Sequence, residues 1–294
     1  MNRRESLRVL GSLSAAALAC TRRKDKRMTT PKSEGKPTTD SMPVIFAAHG
    51  APILLDDQAW MGELAAWAKA MPKPKSMLVV SAHWEEPAAT IGATQPVPLV
   101  YDFYGFPERY YQTRYPSPGA PDLAARIRAL LSGRGIAVAD DATRGLDHGA
   151  YVPLVPMYPE ADVPVLQLSM STLDAKNLFA LGQALAPLRS EGVLIFGSGF
   201  LTHNMRYAFR PGIPAWAKEF DAWVEIAIGH FDVDALVDFQ ERAPAASTAL
   251  PTWEHYAPLL VAAGAASEGP HAVSFPITGF WMDGAFTRRS VQFT

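Results

Sequence analysis

From residue 43 onward the chain alternates short apolar runs with longer stretches in which apolar residues recur every three or four positions. Residues 43–48 (PVIFAA), 77–82 (MLVVSA), 163–169 (VPVLQLS) and 193–197 (VLIFG) have strand length and little polar content, the pattern of strands buried on both faces. Asp57 is suited to cap a helix to about residue 71, with Trp60, Leu64, Trp67 and Met71 at helical spacing. Gly119-Ala120-Pro121 opens another, carrying Leu123, Ile127, Leu130 and Leu131, because proline fits a first helical turn. Residues 174–191, 215–228 and 254–266 read as helices, and 273–277 and 290–293 as late strands. The alternation predicts one α/β domain over residues 42–294, with helices on both faces of a sheet.

Residues 1–41 break the pattern. Arg3 and Arg4 precede an apolar or small-residue stretch from Val9 to Ala19, and Cys20 follows. That order of charged, apolar and small segments is the layout of a secretory signal. The paired arginines resemble a twin-arginine export signal, with Ser6 where such signals usually carry Phe. Ala17-Leu18-Ala19-Cys20 loosely resembles a lipoprotein cleavage box. The expectation is a leader and disordered linker over 1–41 and an exported protein, periplasmic or tethered to a membrane through a lipid anchor at Cys20. Translation from Met28 or Met42 would instead leave it cytoplasmic.

Composition narrows the chemistry. Of 27 basic and 29 acidic residues, ten and four lie in residues 1–41, so the body carries 17 and 25, a net of −8. An acidic body repels phosphates, which argues against nucleic acid as a partner. The one cysteine, Cys20, excludes internal disulfides and CxxC zinc sites. GxSxG, Walker A and GxGxxG motifs do not occur. Any metal site must be built from the seven histidines and the carboxylates.

Three of those histidines sit where an α/β sheet places its ligands, just beyond the carboxyl ends of strands. His49 follows PVIFAA, His83 follows MLVVSA, and His203 follows VLIFGSGFLT. His148 lies in a predicted loop between Gly145 and Gly149, and His255 at a predicted helix start. Neutral imidazole is the commonest side-chain ligand for zinc and iron, and histidines on separate strand ends converge more readily than a row along one helix. His230 and His271 have ordinary helix-end and loop settings. The aromatic group Tyr101, Phe103, Tyr104 and Phe106 reads equally as a pocket lining or as core. Arg109 and Arg114 read as structural or solvated rather than as partners for a substrate carboxylate.

On the segments AAHGAP (47–52), VVSAHWEEP (79–87), YDFYGFPERYYQTRYPSPGAPDLA (101–124), LDHGAYVPLVPMYPEADVPVLQLS (146–169), GSGFLTHN (197–204) and PTWEHYAPLL (251–260), the chain resembles the class III extradiol ring-cleavage dioxygenases, in the branch similar to 4,5-DOPA dioxygenases. Tyr151 stands where Trp is usual, and Trp253 where a second Pro is common. The resemblance implies a three-layer α/β/α sandwich around a central, mostly parallel or mixed sheet. It implies non-haem Fe(II), with Zn(II) an alternative occupant in the isolated protein, held by His49, His83 and His255. His203 is implied beside the metal, as a fourth ligand or as an acid/base, and His148 as the second catalytic histidine. The implied reaction inserts both atoms of O2 into a catechol-type aromatic, DOPA-like or related, and leaves a semialdehyde. A zinc-dependent hydrolase and a non-catalytic metal-binding protein of the same fold are the alternatives. The sequence leaves the oligomeric state open.

Overall fold

The structure, a computed structural model, describes residues 41–268 and 272–294. The leader expectations, from Arg3-Arg4 through Cys20 to Met28, lie outside the described residues, as does His271. In chain order the strands are β1 (Val44–Ala48), β2 (Ser76–Ser81), β3 (Ala89–Ile91), β4 (Val138–Asp140), β5 (Val165–Gln167), β6 (Val193–Gly199), β7 (Val273–Ser274), β8 (Phe280–Trp281), β9 (Phe286–Thr287) and β10 (Val291–Phe293). The main helices are α1 (Gln58–Ala70), α2 (Pro121–Ser132), α3 (His148–Met157), α4 (Ala175–Leu185), α5 (Ala215–Gly229) and α6 (Ala257–Ala265).

One sheet has the order β5-β2-β6-β1-β10-β7. The pairs β5–β2, β2–β6 and β6–β1 are parallel; β10 pairs antiparallel with β1 and β7. The sheet is therefore mixed with a parallel centre, as the sequence predicts. Strand periodicity explains the layers: Val44 and Phe46 of β1 enter one apolar core, while Ile45 and Ala47 enter the other. The first core receives Ile127 of α2, Leu181 of α4, Val224 of α5 and Leu260 of α6. The second receives Trp60 and Leu64 of α1 and Leu154 of α3. The three-layer expectation holds. No helix among the described residues is long and apolar enough to cross a membrane.

Several expected elements change. His148 is not in a loop; it opens α3, whose N-cap Asp147 accepts from the Ala150 N–H at 3.1 Å. Because α3 is buried almost all round and carries Pro153 and Pro156, it has no apolar stripe to read. The helix over 174–191 ends at Leu185 and continues as a 3₁₀ turn, Ala186–Glu191, where Pro187 removes a backbone donor. The helix expected from 254 begins at Ala257, which leaves His255 in the turn before it. β3 and β4, which no pattern announced, pair with each other outside the main sheet.

Candidate metal centre

β1 and β2 flank β6 as parallel neighbours, so all three end at the same rim of the sheet. His49 is the residue after β1, His83 lies two beyond β2, and His203 four beyond β6. α3 brings His148 to this rim from one face, and the turn before α6 brings His255 from the other. Two glycines permit the approach. A Cβ at Gly199 would run into the His255 carbonyl oxygen, and one at Gly149 into Ser81 Oγ and the His83 ring.

The five predicted histidines lie together. Ring centroids are 4.9 Å apart for His49–His83 and His83–His255, and 5.3 Å for His49–His255. His148 is 4.0 Å from His83 by the same measure, and His203 stacks on His255 at 3.6 Å. His49, His83 and His148 each offer a nitrogen within 4.8 Å of the others; so do His203 and His255, with a carboxylate oxygen of Glu254. His230 caps the C-terminus of α5 and is not part of this group.

Hydrogen bonds set the tautomers. Ser198 Oγ donates to the Gly149 carbonyl, so it accepts from His49 Nδ1 at 3.0 Å. His148 Nδ1 donates to Asp102 Oδ1 at 2.7 Å, and the His148 backbone N–H donates to the same oxygen at 3.1 Å. His255 Nδ1 donates to Glu254 Oε1 at 2.9 Å. His83 Nδ1 faces Asp102 Oδ2 at 3.5 Å. With Nδ1 so engaged in His49, His148 and His255, their Nε2 atoms are left as lone-pair donors, the arrangement in which outer partners orient metal-ligating imidazoles. The Nε2 atoms of His49 and His83 are 3.1 Å apart. At that spacing a single proton or a single metal ion can engage both nitrogens.

Electrostatics agree with this donor set. Burial, reinforced by neighbouring imidazoles, holds His49 and His255 well below the usual histidine range. Burial and then His148 take His83 down to about 3, against the pull of Asp102. Burial takes His203 down to about 4, opposed by Glu254. These four rings are therefore neutral at pH 7, as metal ligands must be. Burial alone would raise Asp102, but the hydrogen bond from His148 prevails and holds it down at about 2. Neutral nitrogens gathered at one rim, with outer partners orienting the rings of His49 and His255, fit a divalent metal ion.

Above the histidines is a cavity of about 190 Å³. Its walls include Ile53, Phe106, Phe200, Trp281, Met282 and Phe286, and Met205 and Phe209 stand at its edge. Of the aromatic group 101–106, Phe106 reaches the cavity; Phe103 is buried and packs edge-on to His148, and Tyr104 is 90% exposed. Arg109 pairs with Asp56 at the surface, and Arg114 is exposed. Tyr151, in place of the usual Trp, is buried among Tyr101 and its neighbours. The sequence reading missed Asp102, Ser198 and Glu254. Their one signal was proximity: Asp102 within the aromatic group, Ser198 in Gly197-Ser198-Gly199, and Glu254 next to His255.

Residues 43–284 match the family model described as the catalytic LigB subunit of aromatic ring-opening dioxygenase. The chain belongs to this family. A Beta vulgaris protein named 4,5-DOPA dioxygenase extradiol is 44% identical over 257 residues, covering 85% of this chain and 95% of the relative. A protein of the same name from Escherichia coli K12 is 35% identical, covering 85% and 94%. A crystal structure of an uncharacterized Escherichia coli K12 protein superposes with a TM-score of 0.73 at 32% identity, covering 86% of this chain and all of that one. The LigB-family chain is a metal-dependent extradiol dioxygenase that acts on a small aromatic molecule with O2. The hydrolase and non-catalytic alternatives give way to ring opening.

Proposed function

We propose that the enzyme cleaves a catechol beside its two hydroxyls, with Fe(II) held by His49, His83 and His255. The observation that carries this reading is the pair of Nε2 atoms 3.1 Å apart at the floor of an aromatic-walled cavity. When bound, Fe(II) supplies one meeting point for the catechol oxygens and dioxygen, and the electrons that activate O2; zinc in the isolated protein would bind without that redox capacity.

The chain's own residues then have distinct tasks. His148 brings a ring nitrogen beside the proposed ligands and accepts a phenol proton at its Nε2. The ionised Asp102, hydrogen-bonded to Nδ1, fixes the tautomer and stabilises the imidazolium that results. Because Asp102 also faces His83, one carboxylate sets the orientation of both the proton acceptor and a metal-binding ring. His203, stacked on His255 and neutral, serves as a second acid/base or as a fourth ligand. Phe200 and Phe286, both buried, keep water from the floor.

Anaerobic loading with Fe(II), followed by a catechol panel under oxygen, tests the reading. Oxygen uptake with yellow semialdehyde absorbance is expected; iron-loaded protein inert toward every catechol would refute it. We also propose export through the leader, with lipid attachment at Cys20. The support is the order Arg3-Arg4, apolar run, Cys20. Fractionation should place the protein outside the cytoplasm, and wild-type protein found only in the cytosol, starting at Met28 or Met42, would overturn it.

A further inference from the structure

The mouth of the cavity differs from its floor, and the difference bears on the substrate; the inference rests on the catechol reading above. Phe106 and Trp281 continue the apolar wall outward, and Met205 and Phe209 form a lip that is 63% and 71% exposed. Large exposed apolar side chains are normally scattered singly. Here, of five such residues in the described chain, three (Met205, Phe209 and Ile213) fall on the single segment 205–213. Phe209 also has φ of +62°, a left-handed conformation that a bulky residue rarely keeps without a functional reason. Met282, also lining the cavity, has φ of +47°. Two large apolar residues of the cavity, one at its edge and one in its wall, are thus held despite unfavourable backbone geometry.

We propose that this enzyme selects catechols whose ring substituent is apolar, an alkyl or aryl chain, over catechols that carry a charged amino-acid tail. A substituent leaving the histidine floor passes along Phe106 and Trp281 toward Met205 and Phe209. An alkyl chain loses water there at a gain of roughly fourfold in affinity per methylene. An ammonium or carboxylate on the same path loses hydration against apolar walls. Among the described residues the polar side chains that line this cavity are the histidines of the floor. Arg206 and Arg210 share the lip segment but are not among the lining residues, and the Arg210 guanidinium lies over the Tyr207 ring at 4.9 Å.

4-Propylcatechol and L-DOPA carry three-carbon substituents at the same ring position and differ in the charged groups. 3,4-Dihydroxyphenylpropanoate and dopamine carry one charge each. With the Fe(II)-loaded enzyme, kcat/KM for 4-propylcatechol should exceed that for L-DOPA by about tenfold or more, with the singly charged pair between. Without oxygen, quenching of tryptophan fluorescence should give the same order of Kd, a readout independent of turnover. Met205→Gln and Phe209→Asn, both at exposed positions, should each narrow the propyl-to-DOPA ratio severalfold. L-DOPA matching or surpassing 4-propylcatechol would overturn the proposal, as would an unchanged ratio in both variants. A DOPA preference that collapses in Arg206→Ala/Arg210→Ala would overturn it by showing that the arginines receive the tail. Inertness toward all four compounds would also overturn it, and activity toward unsubstituted catechol would then show whether the ring-cleavage reading survives.

Discussion

The floor and the mouth of the cavity are built on opposite terms. At the floor, His49 is tied to Ser198, His148 to Asp102 and His255 to Glu254, through groups drawn from several separate elements. At the mouth, Met205 and Phe209 stand exposed, and Phe209 has positive φ, as does Met282 on the wall below. Buried polar groups must be satisfied in fixed directions, so a floor of imidazoles is specified by many contacts at once. Apolar contact has no direction, so a lip can change its side chains without disturbing the groups below it. The floor therefore carries the chemistry, and the mouth carries the choice of substrate.

Removing a floor residue should have the largest effect. His49→Ala should reduce both bound metal and oxygen uptake to background, measured by atomic emission and an oxygen electrode on folded protein. A variant that keeps its metal would take His49 out of the ligand set. His148→Ala should keep its metal and lower turnover roughly 10²–10⁴-fold, the usual contribution of a general base. His203→Ala should do the same if it transfers protons; loss of iron instead would make it a fourth ligand and leave proton transfer to His148.

Changing the partner of a floor residue should cost less. Asp102→Asn keeps the shape and removes the charge, so turnover should fall roughly 10–100-fold with iron stoichiometry intact. Steady-state kinetics beside metal analysis check this, and an unchanged kcat would detach Asp102 from the proton step.

Acid should weaken the floor before the mouth. His83 and His203 are held at about 3 and about 4, below the ordinary 6.5, so the unfolded chain takes up protons first as pH falls. Their contribution to stability is complete above pH 6.5 and is lost as pH drops toward the folded values. The Tm of metal-free protein should fall between about pH 6.5 and 4, and His203→Gln should flatten that slope. The smallest change is expected at the mouth. Phe209→Gly relieves its left-handed backbone and should shift stability by about 1 kcal/mol or less, visible as a small rise in Tm.

Much of the fold could be read from the chain because its signals are local. The runs at 43–48, 77–82 and 193–197 became the three adjacent parallel strands, since consecutive apolar residues in an α/β chain have few places to go but a covered sheet. α3 escaped because a helix buried on all sides has no polar face to set a period, and its prolines argue against a helix. His49 and His83 were legible as site residues because they end such strands. His148 and His255 were brought in by the resemblance, being attached to elements that periodicity does not place against the sheet.

The sequence by itself determined the element types at the sheet centre, the rim to which His49, His83 and His203 belong, and the absence of cysteine from the body. Those are properties of neighbouring residues, and local sterics and burial set them. Only the tertiary structure decided the hydrogen-bond partners: Asp102 is 46 residues from His148 and Ser198 is 149 from His49. It also decided that Trp281 and Phe286, from the β8–β9 hairpin, and Phe106 wall one cavity. Such pairings depend on how the layers close on one another, which is fixed by packing across the whole core and has no signature at any single position.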